Sequence, residues 1–243
     1  MLNAVPDLLA RRADLSGDSV ALEELATGRT VTYAQLDRRA SQAATLLAAR
    51  GIGEGDRVAI LCRNRVAFFE LLFACARLGA ILVPLNWRMP QAELDVLVAD
   101  CAPALLFHGR EDAGKAGGIP AIDLDADYEG LIAAAEPGPG RSTWPADGIW
   151  YLLYTSGTTG RPKGVIYTYR MALANHVNIG TAIDLASNDA TLNFLPLFHT
   201  AGINLYSLPT LLQGGRVLVL PGFDADAVVD LLGARRIDTF FAG

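Results

Sequence analysis

Short apolar runs and longer helix-patterned stretches alternate along the whole chain. That alternation restricts it to mostly parallel strands with helices covering the sheet faces. Arg57–Cys62 is suited to a strand buried on both faces, and Ile81–Pro84 and Ala104–Phe107 read as the next two. Between them Val66–Leu78 reads as a helix ended by Gly79, and Pro90 fits the first turn of a helix running to Asp100. Upstream, Thr32 followed by Gln35 has capping-box spacing and opens a helix through Leu36, Ala40, Ala43 and Leu47 that stops at Gly51. Downstream, Ile149–Tyr154, Val165–Tyr167, Thr191–Leu195 and Val217–Leu220 read as strands, with a helix starting near Tyr169. Asp224 caps a predicted helix reaching Arg235, and Ile237–Ala242 is again strand-like. Glu136–Pro145, rich in Pro and Gly, is predicted to hold no regular structure. It reads as a linker (137–145) between sub-lobes of about 1–136 and 146–243.

Composition narrows the function. The 243 residues carry 20 Lys+Arg against 26 Asp+Glu, a formal charge of −6, which argues against a nucleic-acid partner. Only Lys115 and Lys163 are lysines, so a lysine in a reactive setting draws notice. Cys62, Cys75 and Cys101 are unclustered in apolar surroundings and read as reduced core thiols of a cytoplasmic protein. The N-terminus lacks a basic segment followed by an apolar core, so no signal peptide is expected. The longest stretch without formal charge, Ala190–Gly215, is interrupted by Asn, Pro, His and Gln and makes a poor membrane span.

The chemistry concentrates in Thr155-Ser-Gly-Thr-Thr-Gly-Arg-Pro-Lys-Gly164, directly after a predicted strand. Gly157 and Gly160 allow a tight turn and close approach to a ligand. Thr155, Ser156, Thr158 and Thr159 add hydroxyls beside exposed backbone N–H groups, and Lys163 adds a compact positive charge. Together they suit a polyphosphate; the alternative is a flexible Ser/Thr/Gly surface loop. The spacing is not the Walker pattern, because Arg161 and Pro162 separate the last Gly from Lys163 and Gly164 follows it. An unrelated P-loop phosphotransferase is therefore disfavoured. Gly51-Ile-Gly-Glu-Gly55 precedes a strand instead of following one and reads as a turn, not a dinucleotide fingerprint.

These residues resemble the signature loop of the adenylate-forming (acyl-CoA synthetase, AMP-binding) superfamily. Arg77-Leu-Gly-Ala-Ile-Leu-Val-Pro-Leu-Asn86 is similar to an earlier family stretch, and Leu195-Pro-Leu-Phe-His-Thr-Ala-Gly202 to its histidine motif. The three occur in family order, and the likeness covers essentially the whole chain. It implies an α/β fold of layered α-β-α-β-α form, with mostly parallel sheets, as in the N-terminal domain of such enzymes. It also implies that residues 1–243 are an incomplete N-terminal AMP-binding domain lacking the C-terminal domain.

The implied reaction is ATP-dependent activation of a carboxylic acid to an acyl-adenylate and then to acyl-CoA, with ATP, Mg²⁺ and coenzyme A taking part. The resemblance gives catalytic roles to His199 and Lys163. It gives nucleotide binding to Thr155, Ser156, Gly157, Thr158, Thr159, Gly160 and Lys163, and a place near Mg²⁺ to Thr155. His108 and His176 match no motif and read as structural; Asn86, Trp87 and Arg88 read as a turn. No Asp lies between Ala190 and Gly222, where amino-acid-activating relatives usually carry one, so a fatty or other apolar acid is favoured. Later family motifs find no match, so the chain is not expected to complete adenylation alone and is expected to self-associate through a truncated sheet edge. The competing reading is a non-catalytic nucleotide-binding or structural fragment.

Overall fold

Twelve consecutive residues, Val66–Arg77, are buried in one helix, α3 (Val66–Leu78), so every face of it meets protein. A helix apolar all round belongs between layers, not on a surface. The computed structural model describes residues 3–115, 117–138, 140–155 and 162–241. The chain begins β1 (Ala4–Pro6), α1 (Leu8–Ser16), β2 (Val20–Glu24), β3 (Arg29–Thr32), α2 (Tyr33–Ala48) and β4 (Arg57–Leu61). After α3 come β5 (Ile81–Pro84), α4 (Gln91–Cys101), β6 (Leu105–His108), β7 (Ala121–Asp123), α5 (Tyr128–Ala134) and β8 (Thr143–Pro145). Then follow β9 (Ile149–Thr155), β10 (Lys163–Thr168), α6 (Tyr169–Ile183), β11 (Ala190–Asn193), α7 (Ser207–Gln213), β12 (Arg216–Val219), α8 (Ala225–Gly233) and β13 (Thr239–Phe240).

Two large sheets form, in the orders β10-β9-β5-β4-β6-β7 and β13-β11-β12-β2-β3. All neighbours are parallel except the hairpins β9–β10 and β2–β3. Side-chain alternation sets the layers. On β4, Val58 and Ile60 face a central core shared with α2 and α3, while Ala59 and Leu61 face an outer core with Leu94 and Leu97 of α4. On β12, Val217 and Val219 face the same central core, while Leu218 packs outward with Val228 and Leu231 of α8. The order is therefore α4, sheet, α2 and α3, sheet, α8: the five-layer α-β-α-β-α arrangement.

Local signals account for the element ends. The Thr32 hydroxyl accepts from Gln35 N at 3.3 Å and the Gln35 side chain accepts from Thr32 N at 2.9 Å, a reciprocal capping box. Gly79 ends α3 at φ +72°, a left-handed conformation that favours glycine. The two charges carried by α3 are matched inside the fold. Buried Glu70 accepts from Arg39 Nε at 2.6 Å, Arg29 Nη2 at 3.2 Å and Tyr128 OH at 2.9 Å. Arg77 bonds Asp7 and Asp37.

Two expectations change. The Pro/Gly segment is not wholly irregular: Thr143–Pro145 forms β8, paired antiparallel with β1. Pro145 is tolerated there because a two-stranded ribbon leaves one side of each strand unpaired. Both large sheets also draw strands from either side of this segment. Among the described residues the C-terminal strand is Thr239–Phe240, starting later than the expected Ile237, and pairs with β11; Ala242 lies outside them.

Candidate nucleotide and acyl site

The carboxyl ends of the parallel strands come together at one edge, where open α/β sheets place their ligands. Asn64, just past β4, makes the joint. Its Nδ2 donates to Leu195 O at 2.9 Å and Leu220 O at 3.1 Å, and its Oδ1 accepts from Leu197 N at 3.0 Å. Those three partners follow β11 and β12 of the other sheet. Glu24, the last residue of β2, accepts from Val66 N at 2.7 Å beside them.

The predicted phosphate loop connects β9 to β10. The strands pair antiparallel with Lys163 opposite Thr155, so the hairpin holds these two residues across from each other at the loop's base. Both are exposed. Gly164 lies against Leu152, where an added Cβ would meet Leu152 Cδ2 at 3.0 Å. Ser156, Gly157, Thr158, Thr159 and Gly160 lie outside the described residues.

His199 sits in the turn after β11, exposed, with its N–H donating to Pro196 O at 3.0 Å. Its Nδ1 accepts from Ala201 N at 3.3 Å, which in the neutral ring leaves the proton on Nε2. The chain then enters a short π-helix, Ala201–Leu205, a rare wide turn found mostly at functional sites. Gly202 is required there: a Cβ would lie 2.2 Å from Pro196 O and 2.6 Å from its carbonyl carbon.

Four side chains tie this turn to the hairpin. Tyr151 of β9 stacks on Tyr167 of β10, with ring centres 4.9 Å apart and planes 12° from parallel. The Tyr151 hydroxyl donates to Asn204 Oδ1 at 2.5 Å, and burial raises its pKa above the usual phenol value. Asn204 Nδ2 donates to Thr200 Oγ1 at 3.1 Å, and the Tyr167 hydroxyl donates to the same oxygen at 2.9 Å. Asn175 of α6 adds a bond to Asn204 O at 2.6 Å. The hairpin, at its end away from the loop, and the histidine turn are thus one hydrogen-bonded unit.

On the other side of His199, Phe198 meets Trp87 edge-on, with ring centres 6.3 Å apart. Asn86–Met89 is a turn, as predicted, closed by Met89 N donating to Asn86 O at 3.0 Å. The Arg63 guanidinium lies 4.1 Å from the centre of the Trp87 ring, and Lys115 donates to Trp87 O at 2.8 Å. A neighbouring cleft of about 460 Å³ opens between the ends of β4 and β6, lined in part by Arg63, Arg65, Glu111 and Asp125. Four of its charges form pairs, Arg63 with Glu111 and Arg65 with Asp125, both at 2.7 Å. The Arg65 bond holds the Asp125 carboxyl down at about 2. His108 and His176 bond backbone carbonyls, Gly109 O at 3.0 Å and Pro209 O at 3.2 Å.

Among the described residues, no group of three His, Cys, Asp or Glu could hold a metal ion, and no helix is long and apolar enough to cross a membrane. Asn64, Tyr151, Tyr167 and Asn204 have no signal in local pattern, because their partners lie far along the chain. Thr200 lies inside the Leu195–Gly202 motif, but the motif carries no separate signal for it.

The family model described as "AMP-binding enzyme" matches residues 9–242. The chain is 39% identical to a feruloyl-CoA synthase of Amycolatopsis sp over 231 residues, covering 95% of this chain and 47% of that one. It is 32% identical to the long-chain-fatty-acid–CoA ligase FadD13 of Mycobacterium tuberculosis, covering 95% and 48%. It superimposes on the o-succinylbenzoate coenzyme A synthetase MenE of Bacillus subtilis, in complex with ATP and magnesium ion, with TM-score 0.87 and 26% identity. That match covers 98% of this chain and 63% of the other. The chain spans about half the length of the curated relatives it matches. With this fold, this edge and these likenesses, the chain belongs to the AMP-binding enzyme family.

Proposed function

We propose that the chain supplies the phosphate-binding loop and the acyl-site histidine of an ATP-dependent acid–thiol ligase. The carboxylate of the acid attacks the α-phosphorus, pyrophosphate leaves, and a thiol, coenzyme A, then displaces AMP from the mixed anhydride. The observation that carries this reading is the Tyr151–Asn204–Thr200–Tyr167 bridge, which joins the hairpin carrying the loop, four residue pairs from Thr155 and Lys163, to the turn bearing His199. An anion-binding loop and a carboxylate-binding histidine have to lie side by side for the two substrates to react.

Lys163, on the exposed base of the hairpin, offsets phosphate charge, and Thr155 faces it with a hydroxyl; Ser156, Gly157, Thr158, Thr159 and Gly160 would complete the cradle. Thr155 would hold Mg²⁺ through its hydroxyl, and the ion would supply positive charge against the phosphates. His199 holds the acid's carboxylate by donation from Nε2. The acid is a fatty or other apolar one; relatives named for feruloyl and long-chain fatty acyl groups support an apolar acid without deciding between aryl and alkyl. Cytoplasmic placement rests on the three free cysteines. Self-association is supported by the sheet edges at β10, with Val165 and Ile166 exposed, and at β13, with Phe241 exposed beside it.

Calorimetric titration with ATP and Mg²⁺, paired with pyrophosphate release over ferulate and octanoate, tests the reading. ATP binding that weakens about tenfold in Lys163→Met supports it. Binding without pyrophosphate release assigns the chemistry to the combined action of this chain with the remainder found in its relatives. An absence of ATP binding refutes the phosphate site.

A further inference from the structure

Thr200 is exposed directly after His199, and its hydroxyl is held from two sides. Tyr167 OH donates to Thr200 Oγ1 at 2.9 Å and Asn204 Nδ2 donates to it at 3.1 Å. A hydroxyl oxygen has two lone pairs and one proton. With both lone pairs engaged, the remaining capacity of Thr200 is as a donor.

Neither neighbour can take that proton. The Asn204 amide is fixed the other way round, because its Oδ1 accepts from buried Tyr151 at 2.5 Å, leaving Nδ2 toward Thr200. The Tyr167 phenol, the more acidic hydroxyl, is already the donor in its pair. Among the described residues Thr200 donates to nothing. Thr200 and His199 are adjacent and both exposed, so its proton is left for a group outside the fold. The imidazole uses Nδ1 on Ala201 and keeps its own proton on Nε2. Two adjacent donors, both fixed by bonds on their inner sides, suit one anionic group.

We propose that Thr200 is a substrate-binding residue whose preset hydroxyl donates to an anionic oxygen bound beside His199. Tyr167 and Asn204 are positioning residues that keep the proton outward. The inference rests on the site reading above. The anionic oxygen belongs either to the acid's carboxylate or to a phosphate of the nucleotide, and the two sources are separable by experiment.

The chain has three histidines, so the ring resonances of His199 can be followed by NMR. The full chain is titrated separately with ferulate, octanoate and ATP–Mg²⁺, reading affinity from the His199 shift. Thr200→Val, close in shape and on an exposed position, is expected to weaken the responding probe about tenfold or more. Thr200→Ser, which restores the hydroxyl, recovers most of that loss. Asn204→Asp replaces the inner donor with an acceptor, so it draws the Thr200 proton inward and weakens the probe although the hydroxyl remains. Should Asn204→Asp fail to fold, Tyr167→Phe takes its place: it frees one lone pair and weakens the probe severalfold. A purely structural hydroxyl would alter the unfolding midpoint and leave probe affinity alone.

Loss confined to ferulate or octanoate assigns the contact to the carboxylate, and loss confined to ATP assigns it to a phosphate. If a probe shifts His199 equally well in Thr200→Val, the inference is overturned while the site reading stands. If no probe shifts His199 in the unsubstituted chain, the site reading falls and takes the inference with it.

Discussion

Replacing Asn64 with Ala tests how the two sheets are joined at their functional edge. The side chain makes three bonds, to Leu195 O at 2.9 Å, Leu220 O at 3.1 Å and Leu197 N at 3.0 Å, and the residue is 4% exposed. Ala removes all of them at once. A net hydrogen bond is worth about 1 kcal/mol, and a buried donor left without a partner costs about 1–3 kcal/mol. The Leu197 N–H is such a donor, since it lies in a buried residue and its partner is the Asn64 side chain. With about 1 kcal/mol for each bond to a carbonyl and about 1–3 for the orphaned Leu197 N–H, the expected loss is about 3–5 kcal/mol. For a chain of this size each kcal/mol is about 2–4 °C in Tm, so the midpoint falls by about 6–20 °C. Urea unfolding followed by the fluorescence of buried Trp144 and Trp150 measures it. Asn64→Asp is the informative companion: it keeps the acceptor for Leu197 but turns an oxygen toward two carbonyls, so it should cost at least as much as Ala. A loss below about 1 kcal/mol for Ala, or a milder effect for Asp than for Ala, refutes the reasoning.

Gly202→Ala should cost about 3 kcal/mol by urea unfolding, because its Cβ would meet the Pro196 carbonyl at 2.2 Å and backbone cannot step aside cheaply; a cost under about 1 kcal/mol would mean the turn yields. His176 has a pKa lowered from 6.5, chiefly by burial, with Arg12 adding to the lowering and the Pro209 carbonyl opposing it. Below pH 6.5 the unfolded chain takes up this proton before the folded chain does, so stability falls as pH drops through that window. His176→Gln should remove that part of the slope, and an unchanged slope in thermal melts on either side of pH 6.5 contradicts it. Burial pushes the Cys62 thiol up to about 12 and raises Cys75 as well. Both should resist iodoacetamide at neutral pH until the chain unfolds; fast labelling of the native chain would show otherwise.

Local pattern was sufficient where one segment decides its own state. The bounds Val66–Leu78 and Ile81–Pro84 are those predicted, because an apolar run closed by Gly79 and a short aliphatic run closed by Pro84 carry their own end signals. The Thr32 and Asp224 caps are likewise contained within four residues. Pairing across long separations was not legible. β1 is three residues long and exists because β8 lies alongside it, yet β8 sits in a segment whose Pro and Gly content reads as irregular. The five-layer order came through the family resemblance, since alternation alone does not say which helices lie between the sheets. Lys163 and His199 were legible as motif residues. Asn204 and Tyr151 were not, because their roles arise only when β9 and the turn after β11 meet.

The placement of β2 carries a cost in time. Leu22 stands opposite Val217, and on its other side β2 has only β3. During synthesis at about 5–20 residues per second, the ribosome needs on the order of 10–40 s to deliver the partner strand. Through that interval the apolar pair Ala21 and Leu22, fully covered in the finished fold, stays open on one side. Nascent chains should therefore be at their stickiest before Val219 emerges, and slower elongation over residues 24–216 should lower the soluble yield without touching the equilibrium stability of the protein that does fold.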